Sequence, residues 1–217
     1  MEYKDAIKTF VLIAVTLGVF LIVLSYLGVV RYYVIKNSTS TEKYIREYLE
    51  LPKKTHGKTI ITFSTSPGRF KDIKPMINSV LKQTSAVDSI ITVLPVDKSE
   101  IPDFLKGIVS VVPSGKDYGE GNAIIPVLLT EKECNTTIVA LKDNFIYGED
   151  CIETFLKESE KFKDTIITDQ NQSIYVFQPT CFQSNVIDRE KSSFDKDWFL
   201  NKAKNAKILK YNNTYKY

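Results

Sequence analysis

The chain has 217 residues, with 29 basic against 26 acidic side chains for a net charge of +3, and is 43% apolar and 12% aromatic. This excludes a disordered chain and allows one domain with a core plus an appendage. Interspersed charge excludes nucleic acid as a partner, three scattered cysteines exclude a zinc ribbon or CxxC site, and the single histidine, His56, excludes any two-histidine mechanism.

From Thr9 to Val30 no residue is charged, and most are Val, Leu, Ile or Phe. At 1.5 Å per residue this run is about 33 Å long, enough for a hydrocarbon core of about 30 Å. A cleaved signal peptide would be shorter and followed by small residues, whereas this run continues into Arg31-Tyr32-Tyr33-Val34. It reads as a transmembrane anchor over 9–30 behind a short segment 1–8, with Tyr26, Tyr32 and Tyr33 suited to the interface. Its orientation is drawn two ways. Lys4 and Lys8 before the span, against Arg31, Lys36, Lys43 and Arg46 after it, favour a cytoplasmic domain. Sequons at Asn37, Asn135, Asn171 and Asn212, against roughly 1.7 expected by chance, favour the lumen.

Residues 31–57 are polar and read as a stem, with Tyr44, Ile45, Tyr48 and Leu49 forming one stripe of a short helix. From residue 58 onward, short apolar runs alternate with amphipathic stretches. Thr59 to Ser64 reads as a strand closed by a Ser66-Pro67-Gly68 turn, and Asp72 as the N-cap of a helix to Gln83. Ser89 to Leu94 and Ile108 to Val112 read as strands flanking a short helix at 101–106. Gly121 to Leu129 reads as a helix with Pro126 as a kink or boundary. Thr136 to Leu141 is a fourth strand, followed by a helix from Glu149 to Phe162. Strands at 165–168 and 174–177, a helix at 198–203 and a strand at 206–209 complete the pattern. Tyr211, Tyr215 and Tyr217 read as a frayed end. Such alternation predicts an α/β domain with a mostly parallel sheet and helices on both faces.

In such sheets a ligand sits beyond the carboxyl ends of the strands, where the strand order reverses. That directs attention to 65–69, 113–118 and 142–147. Arg69 and the hydroxyls of its loop can hold phosphate oxygens, although a solvated turn explains them as well. The charged triplet Lys142-Asp143-Asn144 behind a buried strand is either a site or a surface turn. Asp195 and Asp197 read by themselves as capping and first-turn charge of the helix through Trp198. Cys134, Cys151 and Cys181 read as small buried apolar residues.

The order of several motifs resembles a group of GT-A glycosyltransferases. These are Thr65/Pro67/Arg69, then Gln83/Thr84/Asp88/Ile90/Ile91/Pro95, then Asp117/Tyr118/Gly119/Ile124/Ile125/Pro126, then Asp143/Ile146/Tyr147. Phe194-Asp195-Lys196-Asp197-Trp198 before Lys207-Ile208-Leu209 is similar to that group's late acidic block. The resemblance covers about residues 58 to 210; the order of the pieces carries it, since none is specific alone.

The resemblance implies a Rossmann-like GT-A domain over 58–217 behind a single-pass anchor, with the domain in the lumen of the endoplasmic reticulum or Golgi. It implies a nucleotide-sugar donor and a glycan or glycoprotein acceptor. Thr65 and Arg69 would hold the nucleotide or diphosphate, Asp117 and Asp143 would meet ribose or sugar hydroxyls, and Asp197, or else Asp195, would be the base. In that group a run of aspartates at the position of Lys142-Asp143-Asn144 holds Mn2+ or Mg2+. Here Lys142 and Asn144 replace the outer carboxylates, which weakens any metal site. Two outcomes stay open: a metal-independent enzyme in which Lys142 faces the diphosphate, or a catalytically degenerate domain that binds glycans or acts as a scaffold.

Overall fold

The apolar run near the start forms helix α1 (Glu2–Tyr26), and Gly28 separates it from α2 (Val29–Asn37). The computed structural model describes residues 2–26, 28–38, 40–52, 57–94, 101–131, 133–181 and 203–217. These fall into two units, 1–38 and 39–217. In the first, Tyr3–Ser25 has a mean hydropathy of 2.6 and no buried residues, so one helix among the described residues is long and apolar enough to cross a membrane. The Thr16 hydroxyl donates to the Leu12 carbonyl at 2.8 Å, which satisfies a polar group on an otherwise apolar surface. The expected 9–30 run is not one helix: Gly28 adopts φ 74°, a left-handed conformation open to glycine, and ends it.

In the second unit, β-branched runs form the strands β1 (Thr59–Ser64), β2 (Ser89–Leu94), β3 (Val109–Pro113) and β4 (Thr137–Leu141). Strand β5 (Phe145–Tyr147) follows, then β6 (Thr165–Asp169), β7 (Ile174–Phe177), β8 (Asn205–Leu209) and β9 (Thr214–Lys216). Seven of them make one sheet in the order β3-β2-β1-β4-β7-β6-β8. Only β7 runs against the rest, so the mostly parallel α/β sheet expected from the sequence is what forms. Ile61 of β1 lies beside Ile90 of β2 and Val139 of β4, fixing the central register.

Helices cover both faces. On one, Ile61, Phe63, Leu94, Val139, Leu141 and Val176 pack with α3 (Glu42–Leu49), α4 (Lys74–Leu81) and α6 (Cys151–Lys161). On the other, Ile60, Val93, Ile138, Ala140 and Phe177 pack with Ile124 and with Val127 of α5 (Ile125–Thr130). Each buried Ile, Leu, Val or Phe contributes about 1.5–3 kcal/mol. Tyr44 and Tyr48 of α3 belong to the first cluster, and the Val87 N–H donates to the Tyr48 hydroxyl at 2.9 Å. Part of the segment read as a stem thus contributes to the core.

Several local expectations are corrected. Asp72 does not cap α4, whose N-cap is Ile73 with no side-chain bond; Pro75 in the first turn sets its start. Pro126 marks a boundary, between a 3-10 turn at Glu120–Ala123 and α5. The short helix near 101–106 is a 3-10 turn at Asp103–Leu105. Cys134 is exposed, whereas Cys151 and Cys181 are buried. The expected helix at 198–203, with Asp195, Asp197 and His56, lies outside the described residues apart from Ala203.

The segment read as a frayed end is ordered structure. Strand β9 pairs antiparallel with β5, placing Tyr215 beside Ile146. Tyr211 is buried, and its hydroxyl donates to Asp150 at 2.6 Å. The Gln170 side chain holds the backbone of Tyr211 from both sides, donating to its carbonyl at 2.7 Å and accepting its N–H at 2.9 Å. A Cβ on Gly148 would collide with the Tyr211 hydroxyl and come within 2.9 Å of Asn213 Cβ, so glycine is required there by close approach.

Candidate functional site

The strand order turns about β1: β2 and β3 lie to one side of it, β4 to the other. A crevice between the carboxyl ends of β1 and β4 is therefore the expected ligand position. Two charged side chains reach it from those strands. Behind β1, Pro67–Arg69 forms a 3-10 turn in which the Arg69 N–H donates to the Ser66 carbonyl at 2.9 Å. Behind β4 comes Lys142-Asp143-Asn144. Arg69 Nη1 donates to Asp143 Oδ1 at 2.9 Å. The Asp143 side chain is 8% exposed and that of Arg69 45%, so one partner is buried and the other reaches solvent.

Thr65 Oγ1, Ser114 Oγ and Asp143 Oδ2 are buried with no hydrogen-bond partner among the described residues. They follow β1, β3 and β4 respectively, all at the same edge. Other unpaired buried atoms, on Thr41, Asn78, Ser85, Thr92 and Thr136, lie within elements or ahead of them. Native proteins rarely leave such atoms unpaired, so three at one sheet edge call for polar partners there, water or ligand.

The backbone of the triplet is held by two tyrosines. The Tyr147 hydroxyl accepts the Lys142 N–H at 3.0 Å and lies 2.9 Å from the Lys142 carbonyl and 2.8 Å from that of Ser173. Complete burial pushes the Tyr147 phenol well above the ordinary tyrosine value. Tyr217 N–H donates to the Asn144 carbonyl at 3.2 Å. Its hydroxyl lies 2.9 Å from the Asp143 carbonyl and 3.0 Å from that of Asp72. Each carbonyl of the triplet thus has a tyrosine donor within hydrogen-bond distance. The side chains of Lys142 and Asn144 are half-buried, and the Lys142 ammonium has no ion pair among the described residues.

Asp117 belongs to the neighbouring loop after β3. Its carboxylate accepts the Gly119 N–H at 2.8 Å and the Asn122 amide at 2.7 Å, which hold it below the usual carboxylate range. The Thr62 hydroxyl donates to the Ala123 carbonyl at 2.8 Å, tying this loop to β1. Asp117 therefore closes its own turn; among the described residues no hydrogen bond or ion pair joins it to Arg69 or Asp143. Of the predicted site residues, the structure brings Arg69 and Asp143 into contact, places Thr65, Lys142 and Asn144 beside them in sequence on the same two loops, and holds Asp117 on a third.

Beside the Arg69 turn lies a cavity of about 850 Å³ lined by Pro67, Gly68, Phe70, Lys71, Lys74, Pro102 and Phe104. The Lys74 ammonium stands 5.2 Å from the centre of the Phe104 ring. Sequence reasoning pointed to the loops that hold Pro67, Gly68 and Ser114 but missed the rest of this wall and Tyr217: Phe70, Lys71, Lys74, Pro102 and Phe104 carry no motif, and Tyr217 meets Asp143 across 74 residues.

The donor set does not fit a divalent cation. Mn2+ and Mg2+ ask for several hard oxygens. Here the only carboxylate of the triplet is engaged by a guanidinium, and a lysine and an amide take the places beside it in the sequence. Among the described residues no group of three His, Cys, Asp or Glu side chains could hold a metal. What the loops at this edge carry is cationic, a guanidinium and an ammonium on the segments after β1 and β4, with unpaired hydroxyls of Thr65 and Ser114 at the same edge, residue types that take phosphate oxygens.

No protein-family model matches the chain, and no curated protein does. Solved structures similar to it include GalNAc-T7 with UDP, GalNAc and Mn2+, at TM-score 0.42 and 12% identity over 52% of this chain. The chain spans only 22% of that protein. A second is the mannosyltransferase PcManGT from Pyrobaculum calidifontis in complex with GDP-Man and Mn2+, at TM-score 0.47 and 9% identity over 82% of this chain and 65% of that one. HddC from Yersinia pseudotuberculosis matches at TM-score 0.48 and 12% identity, over 73% of this chain and 93% of its own.

Proposed function

We propose that the chain is a membrane-anchored, GT-A-like glycosyltransferase that binds the diphosphate of a nucleotide sugar without a divalent metal and transfers the sugar to a glycan or glycoprotein. The observation that carries this reading is the meeting of Arg69 and Asp143 at 2.9 Å across the point where the strand order turns. Arg69 and Lys142 would neutralise the diphosphate, including the charge that develops on it as the sugar leaves. Thr65, Asn144 and Asp117 would add hydrogen bonds to the donor, and Asp143 would orient Arg69 while offering its free oxygen to a ribose or sugar hydroxyl. The cavity beside Pro67 and Phe104 has the size of a nucleoside pocket. Asp197, or else Asp195, would take the proton from the acceptor hydroxyl in an inverting displacement. Residues 3–25 would anchor the domain as a single-pass protein facing the lumen.

The second reading, a degenerate domain that binds glycans without chemistry, is favoured by the single carboxylate at the triplet. Titration calorimetry of the full chain in detergent with UDP- and GDP-sugars, with and without Mn2+, separates the two. The proposal expects binding of at least one nucleotide sugar that Mn2+ does not strengthen, with at least a tenfold loss in Lys142→Ala, about 1.4 kcal/mol. Absence of binding by any nucleotide sugar would discard it in favour of the degenerate domain.

A further inference from the structure

The most unusual feature near the triplet is that one side chain just after β9 reaches two loops that begin on different strands. Tyr217 lies next to Lys216, which pairs with Phe145 directly behind the triplet. Its N–H fixes Asn144, and its hydroxyl sits between the carbonyls of Asp143 and Asp72. Asp72 belongs to the same turn as Arg69, since the Asp72 N–H donates to the Arg69 carbonyl at 2.9 Å. A single phenol, with one proton to give, therefore stands within hydrogen-bond distance of a carbonyl on each of the two segments whose side chains form the Arg69–Asp143 pair.

We infer that Tyr217 is a positioning residue for this site: it sets the distance between the Arg69 turn and the Asp143 loop, so that guanidinium and carboxylate meet and Arg69 presents its remaining donors to a phosphate. The inference deepens the donor-site reading and rests on it for its ligand. Geometry supports it in two respects. The Arg69 side chain is half-exposed and long, so its own packing does not fix it. The Asp143 carboxylate is buried with one oxygen unpaired, so a small shift of its loop costs the only bond it makes among the described residues. Tyr147 braces the triplet from within the same segment, bonding to Lys142, Ser173 and Ser79 of α4, whereas Tyr217 stands between the Asp143 loop and the Arg69 turn itself.

The test is Tyr217→Phe, which keeps the ring and removes the hydroxyl between the two loops, with Lys216→Ala, the exposed last residue of β9, as the control. In the first arm, amide exchange is followed on the full chain without ligand. Exchange in peptides covering 142–147 and 214–217 should accelerate about tenfold while those covering β6 and β7 stay unchanged. Unchanged exchange at 142–147, or acceleration throughout the domain, would overturn the positioning role. In the second arm, UDP- and GDP-sugar affinities are measured in a double-mutant cycle with Arg69→Gln. Tyr217→Phe should weaken binding about tenfold in the parent and have no further effect once Arg69 is gone; an equal loss in both backgrounds would mean that Tyr217 acts on something other than Arg69. If the parent binds no nucleotide sugar, the donor reading falls, and the exchange pattern decides the role of Tyr217 by itself.

Discussion

Arg69 and Asp143 stand 74 residues apart in the chain and 2.9 Å apart in space, yet they are unequal partners. Asp143 is buried and has a second oxygen without a bond, while Arg69 keeps much of its surface in water. Removing the arginine leaves a buried carboxylate alone; removing the charge of the carboxylate leaves a guanidinium that solvent can still serve. Arg69→Ala should therefore lower unfolding free energy by about 1–3 kcal/mol, and Asp143→Asn by less. Denaturant titration of the two variants checks the order, and equal losses would refute the asymmetry.

Gly148 presents a steric test of the second sheet. With the Tyr211 hydroxyl and Asn213 in the space a methyl group would occupy, Gly148→Ala has to displace the segment before β9. An overpacked site of this kind costs about 1–3 kcal/mol. The loss should be accompanied by faster proteolysis within 210–217, because the Tyr211–Asp150 bond at 2.6 Å lies in the same contact. An alanine variant as stable as the parent would show that this approach is looser than described.

The Asp117 turn predicts a pH dependence. Its carboxyl is lowered by the Gly119 N–H first and the Asn122 amide second. A group whose folded pKa lies below its unfolded value stabilises the fold above the unfolded value, near 3.9, and loses that contribution as pH falls through the folded one. Asp117→Asn should thus flatten the acid limb of the thermal midpoint below about pH 4. A limb identical to that of the parent would leave Asp117 without a part in closing its loop.

The main sheet was readable because its strands are runs such as Thr-Ile-Ile-Thr-Phe-Ser, whose β-branched and aromatic residues fit a buried pleat. The long helix α6 was readable from its apolar spacing, with ends displaced by one or two residues. Strands β5 and β9 were not, since three-residue strands carry too few alternations to register and pair only through contacts about 70 residues apart. The same holds at the site. Arg69, Asp143 and Lys142 could be found because charge behind a buried strand is unusual, whereas the importance of Tyr217 exists only once the chain has folded. Asp72 shows the opposite error: a residue type that favours helix starts stands before α4 and supplies only its carbonyl to Tyr217.

Because Tyr147 and Tyr217 hold the main chain of residues 142–144 from outside the triplet, the charge of this corner resides in replaceable side chains on a braced track. Exchanging Lys142 and Asn144 for aspartates would then reverse that charge without redrawing the path of the polypeptide.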